Sequence, residues 1–506
     1  MAHANSLAVE YLNRPALRVL LASLGAYFLY LIHPFAPLIV GLTTLCLGAI
    51  GAWRYNQWAI MVAGGWMSLY GGYMHYYHSS HSLLNNNQTL YELPAYVIKQ
   101  QSPTSYQMQP VGNPATMQVM VPSHLTPTAP LPGDKVVADI ALQPVLLNGD
   151  KKWALHSWAE GIFTKGTVQY FRAQEKANTP PLQATLNRWR VRISEYFHKA
   201  TQPHLTSVEQ SLIYALILGD RRELPTLLKT DFTKAGGAHL LAVSGFHLSI
   251  IWALLSSFIA VRRNSLHAHA YRWIAAGILL LGLLLYTFIT GANPATVRAW
   301  TMVTILTVTK LLWQRMDSVQ LLSLTLVLMA LVNPFCWGSI GLILSGSAVW
   351  GILVLKPLLD LLYSPQNKLA QYLLSLVYVS IAAQVATLPW VIYYFGSFPL
   401  AGLLSAIPLT LLATIVILIG LGYLLLCGIP VLAWLLSPFY KGACWLLLKS
   451  IEAFAQIGSI AVPNTEQAGT PLLIALYYAV LVICYPHLHE ALKRWNNRRS
   501  TAYKFA

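Results

Sequence analysis

The sequence predicts a polytopic α-helical membrane protein of about a dozen spans, with one β domain inserted on the extracytoplasmic side. Three observations carry that expectation. Hydrophobic residues fill 56% of the 506 positions and charged residues only 10%, against about a quarter charged in soluble domains. Apolar runs long enough to cross a bilayer recur along the chain, and mean hydropathy is +0.52. A single stretch, residues 78–208, interrupts them with Gln, Asn, Pro, Ser and Lys.

Arg14 and Arg18 precede an apolar run at 19–33, and two more follow at 35–52 and 58–77. No small-x-small cleavage site closes the first run cleanly, so it reads as an anchor and not as a signal peptide. With Arg14 and Arg18 on one side and Arg54 returning to it, the positive-inside rule puts the N-terminus in the cytoplasm and residue 80 outside. Later spans are expected near 237–261, 271–290, 294–313, 318–335, 338–358, 370–393, 400–426, 430–455 and 470–486. Arg262, Arg263 and Arg272, then Lys310 and Arg315, then Lys356 and Lys368, then Lys493, Arg494, Arg498 and Arg499 fall on the cytoplasmic side under one threading. Gly, Pro and Ser within 338–358 and 430–455 leave re-entrant or broken helices open there. The expected domains are a three-span anchor at 1–80, the β domain with a basic helix at 81–205, a transmembrane domain at 206–490 and a basic cytoplasmic tail at 491–506.

Within the polar stretch, MQVMV (117–121), KVVADIALQPVLL (135–147) and GTVQYFRA (166–173) are β-rich, with turn signals at PGD (132–134) and NGDKK (148–152). This reads as a small all-β domain, and an OB-type barrel fits its length. Residues 182–200 follow as a helix in which Arg188, Arg190, Arg192 and Lys199 interleave with Trp189, Tyr196 and Phe197. Such a helix either lies on lipid headgroups or gathers nucleic acid, and Arg188, Trp189, Arg190 and Arg192 are the candidate binding surface. The net charge of +16, from 33 Lys+Arg against 17 Asp+Glu, has room for both loop anchors and a basic surface. The five cysteines lie in or beside apolar segments and none falls between 47 and 335, so the β domain is built without disulfides.

The stretch 209–235 reads as a helix ending at Gly219, with Asp220, Arg221 and Arg222 in a tight turn; the two arginines are placed at the outer mouth of a passage. The run 236–260, GGAHLLAVSGFHLSIIWALLSSFIA, is long enough to span yet carries His239, Ser244 and His247. On an unbroken helix these fall within roughly 140° of arc. Polar groups in hydrocarbon need a partner or a wet cavity, so the helix either bonds its neighbours or lines a polar passage. Gly236, Gly237 and Gly245 allow other backbones to come close. In NPATVRAW, Arg298 sits near the outer end of a span, followed at spacing three by Thr301, Thr304 and Thr307. Those threonines either bond their own helix or line the passage, while an arginine there suits phosphate.

Three other chemistries find only partial support in the residues. AVSGFH approaches the G-x-S-G pattern of intramembrane serine proteases, with Ala242 for the first Gly, but no histidine occurs between His269 and His487 to act from another span. A proton-coupled carrier needs an intramembrane carboxylate, and residues 270–486 offer only Asp317, Asp360, Glu452 and Glu466, mostly at span ends. His75, His78 and His81 have spacing three after the third span, beside HAH at 267–269 and HLH at 487–489; loop histidines near headgroups explain these, and no metal or other cofactor is expected.

The run LILGDRRELPTLLKTDFTKAGGAHLLAVSGFHLSIIWALL strongly resembles the core motif of the ComEC competence family, the inner-membrane DNA-uptake channels. The matching elements are Leu218-Gly219-Asp220-Arg221, Gly237, His239 through Gly245, and His247. NPATVRAW (293–300) and ATLPWVIYYFGSFPLAGLLSAI (386–407) agree in the same order, so the likeness covers roughly 205–430 firmly. It implies an OB-like extracytoplasmic domain and transport of single-stranded transforming DNA across the bacterial cytoplasmic membrane. A DNA receptor outside and single-strand-binding or motor proteins inside are the implied partners. Many such relatives carry a metallo-β-lactamase-like C-terminal domain with an H-x-H-x-D-H cluster; neither occurs in these 506 residues, so a short form without a nuclease is expected. The passage candidates are then Arg221, Arg222, His239, Ser244, Gly245, His247, Arg298 and Thr301, with no catalytic residue. A small-solute or lipid-precursor transporter is the alternative, and a serine hydrolase the more distant one.

Overall fold

The computed structural model describes residues 14–505 apart from 35, 56–57, 84–86, 103, 126–128, 147–150, 259–267, 315, 364, 366, 400 and 462–469. The topology markers Arg262, Arg263 and Arg315, with His267, Glu466 and positions 148–150 of the NGDKK turn, lie outside the described residues.

Three apolar helices open the chain: α1 (Pro15–Ile32), α2 (Ala36–Tyr55) and α3 (Trp58–His81). The backbones of α2 and α3 nearly touch. A Cβ on Gly64 would lie 2.6 Å from the Leu45 nitrogen, and one on Gly41 2.6 Å from the Ser68 nitrogen. Small residues permit that approach, which is how helices associate where lipid removes the hydrophobic drive. Trp66 Nε1 donates to Ser23 Oγ at 2.8 Å and ties α3 to α1.

Five strands close a barrel: β1 (Gln88–Ser102), β2 (Ser105–Pro110), β3 (Thr116–Met120), β4 (Asp134–Pro144) and β5 (Ile162–Lys176). The order is β1-β2-β3-β5-β4 with β4 returning to β1, so no edge is left to pair with another chain. Neighbours are antiparallel except β3 with β5. A helix, α4 (Lys151–Ala159), fills the β4–β5 connection. Alternation writes the core: Val136, Ala138, Ile140 and Leu142 of β4 point inward against Val97, Met108, Met117 and Val168. The expected strands correspond to β3, β4 and β5. β1 and β2 are not among the sequence expectations, because Pro94 and a high Gln content hide their alternation. A bulge at Leu90/Leu93 turns the Glu92 N–H onto Asp139 Oδ1 at 2.8 Å, and Arg172 forks onto the same carboxylate with two bonds of 3.0 Å. The Arg172 bonds first, then the Glu92 N–H, hold the Asp139 carboxyl below its ordinary range.

An aromatic joint fastens the barrel to the helices. Trp158 of α4 and Phe163 of β5 meet His78 and Tyr77 of α3 and Phe335 of the 333–339 turn, with ring centroids 5.0–6.3 Å apart. Asn333 Nδ2 donates to the Ala159 carbonyl at 2.7 Å, and Trp337 Nε1 donates to Tyr70 OH at 3.1 Å. Gly338 packs so tightly that a Cβ there would stand 2.3 Å from the Leu155 carbonyl oxygen.

After α5 (Leu182–Thr201), a Thr206–Glu209 capping box starts α6 (Ser207–Ile213), whose continuation through Leu218 widens to π geometry and ends at Gly219 with φ 69°. Then come α7 (Thr226–Lys234), α8 (Ala238–Leu241), α9 (Gly245–Phe258), α10 (Ala268–Ile289), α11 (Pro294–Leu311), α12 (Ser318–Val332), α13 (Ile340–Leu362) and α14 (Lys368–Phe395). A two-stranded pair, β6 (Ser397–Pro399) with β7 (Ser459–Ala461), brackets α15 (Gly402–Leu426) and α16 (Pro430–Ala455), and α17 (Thr470–Phe505) closes the described chain. Among the described residues α10, α13, α14, α15 and α16 are long and apolar enough to cross a membrane. α13 and α16 run unbroken through Pro357 and Pro438, so neither is a broken helix. The core of this part packs α6 and its π turn against Leu409, Ala413, Val416, Tyr423 and Tyr440. The expected continuous helix at 237–261 is corrected. α8 stops at Leu241, Ala242 is extended at ψ 118°, and α9 begins only at Gly245.

Two stability measurements follow on the purified full chain. Gly338→Ala forces the Leu155 backbone away and costs about 2 kcal/mol, seen as a lower melting temperature and faster proteolysis of the barrel. Gly341→Ala, where Ser339 Oγ at 4.0 Å is the nearest atom, leaves both unchanged. A carboxyl depressed in the fold contributes stability above its unfolded pKa, near 4, and loses it as pH falls through the lower folded value. Asp139→Asn therefore melts lower than wild type at neutral pH, and the gap narrows as the pH falls below the unfolded carboxyl value.

Candidate transmembrane passage

The break before α9 is held by the residues that the sequence singles out. Ser244 is its N-cap. Its Oγ accepts from the Phe246 N–H at 3.3 Å, and its carbonyl accepts from the Leu248 N–H at 3.2 Å. Three positions on, His247 reaches back and its Nδ1 takes the Ser244 N–H at 3.2 Å, the place of Glu or Gln in a capping box. That bond makes Nδ1 an acceptor, so the neutral ring carries its proton on Nε2. Nε2 is buried and finds no protein partner. Ser244 Oγ is also 3.2 Å from Nδ1. Their closeness is that of a helix cap. His239 lies before the break, exposed, with Nδ1 3.1 Å from the Gly236 oxygen, so the single arc expected for the three side chains does not form.

Gly245 then faces α11. A Cβ there would be 3.1 Å from Ala299 Cβ and 3.4 Å from Arg298 Nη2. Arg298 is 4% exposed. Its Nε and Nη2 donate to Ser345 Oγ of α13 at 3.1 and 2.7 Å, and Nη1 donates to Met302 Sδ at 3.0 Å. These bonds use three of the five guanidinium N–H groups. Among the described residues no carboxylate pairs with it, since Asp317 binds Arg14, Asp360 binds Lys356 and Glu452 binds Lys449. Thr301, Thr304 and Thr307 each donate to the carbonyl four residues back, at 2.9, 2.8 and 2.7 Å, so their hydroxyls serve their own helix. Ser345 and Met302 are absent from the sequence expectations; a serine in an apolar helix carries no signal of which neighbour it faces.

A second cluster forms where the barrel meets the helices. Arg222 forks onto Asp220, with Nη2 to Oδ2 at 2.6 Å, and its Nη1 reaches Gln100 Oε1 of β1 at 3.2 Å. Arg190 Nη2 donates to the Leu218 carbonyl at 3.3 Å, and its head fills the space left by Gly291. Burial, together with the charges of Arg190, Arg221 and Arg222, lowers the Lys99 ammonium below its usual range, against a weaker opposite pull from Glu160. Burial pushes the Asp220 carboxyl up, but the Arg222 bonds and charge, with Arg190 behind, outweigh it and hold it low. Lys99, Arg190, Arg221 and Arg222 thus gather into a collar at this junction, with Asp220, Glu160, Glu195 and Glu223 as the carboxylates acting on it. Lys99 was not anticipated, because nothing in QQSPTS near it marks a strand end.

The four residues read as one basic surface on α5 divide. Arg188 turns into the barrel, donating to Asp134 Oδ1 at 2.7 Å and to the Pro132 carbonyl at 2.6 Å. Arg190 belongs to the collar. Trp189 stays 58% exposed, with the Arg192 guanidinium 5.7 Å from its ring. The histidines at spacing three continue α3: His78 sits in the aromatic joint, and His81 stacks on Tyr77 at 4.0 Å. No group of three metal-ligating side chains converges among the described residues.

Comparison with known proteins agrees with the motifs. No solved structure matches. "ComE operon protein 3" of Bacillus subtilis (strain 168) is 30% identical over 187 residues, 37% of this chain but only 22% of that protein's length. The Competence protein family matches residues 216–489, more than half of the chain, from the π turn before Gly219 into α17. The chain therefore belongs to the Competence protein family, of the ComEC type.

Proposed function

We propose that the chain carries single-stranded DNA across the bacterial cytoplasmic membrane during natural transformation, as a conduit and not as an enzyme. The observation behind this reading is the meeting of two separated motifs, Gly245 against the buried Arg298, inside the helical part. A guanidinium with N–H groups to spare and no carboxylate partner suits a passing phosphate. The collar of Lys99, Arg190, Arg221 and Arg222 gives that phosphate a first attraction at the junction of barrel and helices. The barrel's order, with β3 and β5 parallel, supports an OB-like domain, a fold whose face and loops take up single strands. Trp189 with Arg192 offers bases a stacking edge. The Ser244–His247 pair argues for packing over hydrolysis, because Nδ1 already accepts a backbone N–H and no acid orients the ring among the described residues. In this reading the barrel faces outward toward a DNA receptor. Both termini lie in the cytoplasm with single-strand-binding or motor proteins.

Two experiments test it. Labelled DNA is followed in cells lacking the gene and complemented with variants at equal abundance. Arg298→Gln lowers cytoplasmic entry at least tenfold while DNA still arrives outside, and Arg298→Lys keeps a larger share through its charge. Ser244→Ala leaves entry substantial, whereas Gly245→Leu, driven into Ala299 and Arg298, abolishes it. Full loss in Ser244→Ala with normal entry in Gly245→Leu reverses the argument in favour of a serine enzyme. Separately, reporter fusions at residue 150 are active outside and fusions after 495 inside; an outside C-terminus breaks the threading.

A further inference from the structure

The α13–α14 hairpin ends in a cleft that the passage does not use. α13 starts beside the barrel, where Gly338 lies against Leu155, and its 23 residues rise about 34 Å. α14 comes back to the barrel level, with Lys152 Nζ of α4 5.7 Å from the centre of the Tyr393 ring. The hairpin turn therefore lies about one hydrocarbon thickness away from the barrel.

Two polar stripes face each other there. Lys356, Asp360 and Tyr363 recur at helical spacing on α13 and its cap, and Lys368, Gln371, Tyr372, Ser375 and Tyr378 fall within about 120° of arc on α14. They line a cleft of about 460 Å³. Lys356 is held by Asp360 at 2.7 Å, and Tyr378 OH donates to the Tyr363 carbonyl at 3.3 Å. Lys368 has no ion pair among the described residues, so two lysines and one aspartate leave the cleft with one net positive charge. Beside the stripe on α14, Leu369 and Leu373 are 66% and 52% exposed, and Val377 continues their apolar strip down the helix. A soluble anion would use the cation and leave that strip bare. A phospholipid matches both, with its phosphodiester at the cation, tyrosine hydroxyls at the interface and an acyl chain along the strip.

We propose that this cleft binds the headgroup of a monoanionic glycerophospholipid, phosphatidylglycerol in type, from the leaflet opposite the barrel. The single negative charge of the phosphodiester meets the single net positive charge, and Gln371 and Ser375 meet the headgroup hydroxyls. The inference stands apart from DNA transport.

The test uses the full chain purified in a zwitterionic detergent, with phosphatidylglycerol or phosphatidylcholine of equal chain length added, and retained lipid counted by native mass spectrometry. Wild type retains phosphatidylglycerol preferentially. Lys368→Gln lowers that preference roughly fivefold, the worth of one lysine near an anionic surface, and Lys368→Arg restores it. Lys449→Gln, an exposed lysine on α16, changes nothing. No preference in wild type, or equal preference in Lys368→Gln, overturns the proposal. Displacement of the lipid by inorganic phosphate or by a short oligothymidylate also overturns it, by showing that the cleft reads a phosphate without an acyl chain.

Discussion

A helix break packed among apolar helices must satisfy its loose backbone groups from its own chain, since hydrocarbon side chains offer none. The break before α9 meets that constraint with two side chains three residues apart, Ser244 capping forward and His247 reaching back. The rest of the candidate passage depends on it. The cap starts the helix at Gly245, and because that residue has no side chain α11 can bring Ala299 and Arg298 close to the break. A continuous helix would have carried its own N–H bonds through this point and left nothing to fix Gly245 opposite the arginine.

The barrel imposes the second constraint. It touches the helices through Trp158, Phe163 and Phe335, rings that supply apolar area, while Asn333 and Trp337 direct the joint by single hydrogen bonds. Gly338 sets the spacing by admitting the Leu155 carbonyl where any Cβ would clash. The collar is a product of this docking. Lys99 and Gln100 come from β1, Arg190 from α5 and Arg222 from the turn after Gly219, and only a barrel held at this distance brings them together.

Membrane class was legible because span length and apolar content are properties of a window of sequence, and α10 or α15 needs nothing else to be recognised. β3 to β5 were legible by alternation, whereas β1 bends at Pro94 and through bulges, which blurs a period of two. The helix break escaped because hydropathy is blind to a cap: Ser244 and His247 read as polar intruders on one helix, and only their mutual geometry shows them ending another. Arg298 stood out as a rare residue in a span, but its Ser345 partner lies on α13 and no local pattern names it. Arg188 shows the converse error. Interleaved Arg and Trp on α5 look like one outward surface, yet Asp134 at the start of β4 draws Arg188 inward.

The distribution of charge carries the last step. A polyanion held by many buried cations would stop, because each contact adds to one deep well; movement asks for repeated weak sites. At the collar four cations stand near one another, and Asp220 moderates Arg222 there. Inside the helices Arg298 is the one buried cation among the described residues, and its charge is spread over a planar group with a neutral serine and a thioether as its bonded neighbours. A carboxylate in place of Ser345 would neutralise the arginine and close it to phosphate; an unbonded arginine would be too costly to bury. Ser345 sits between these extremes. It orients the guanidinium through two N–H bonds and leaves its charge uncancelled, which is the state the proposed phosphate contact would require.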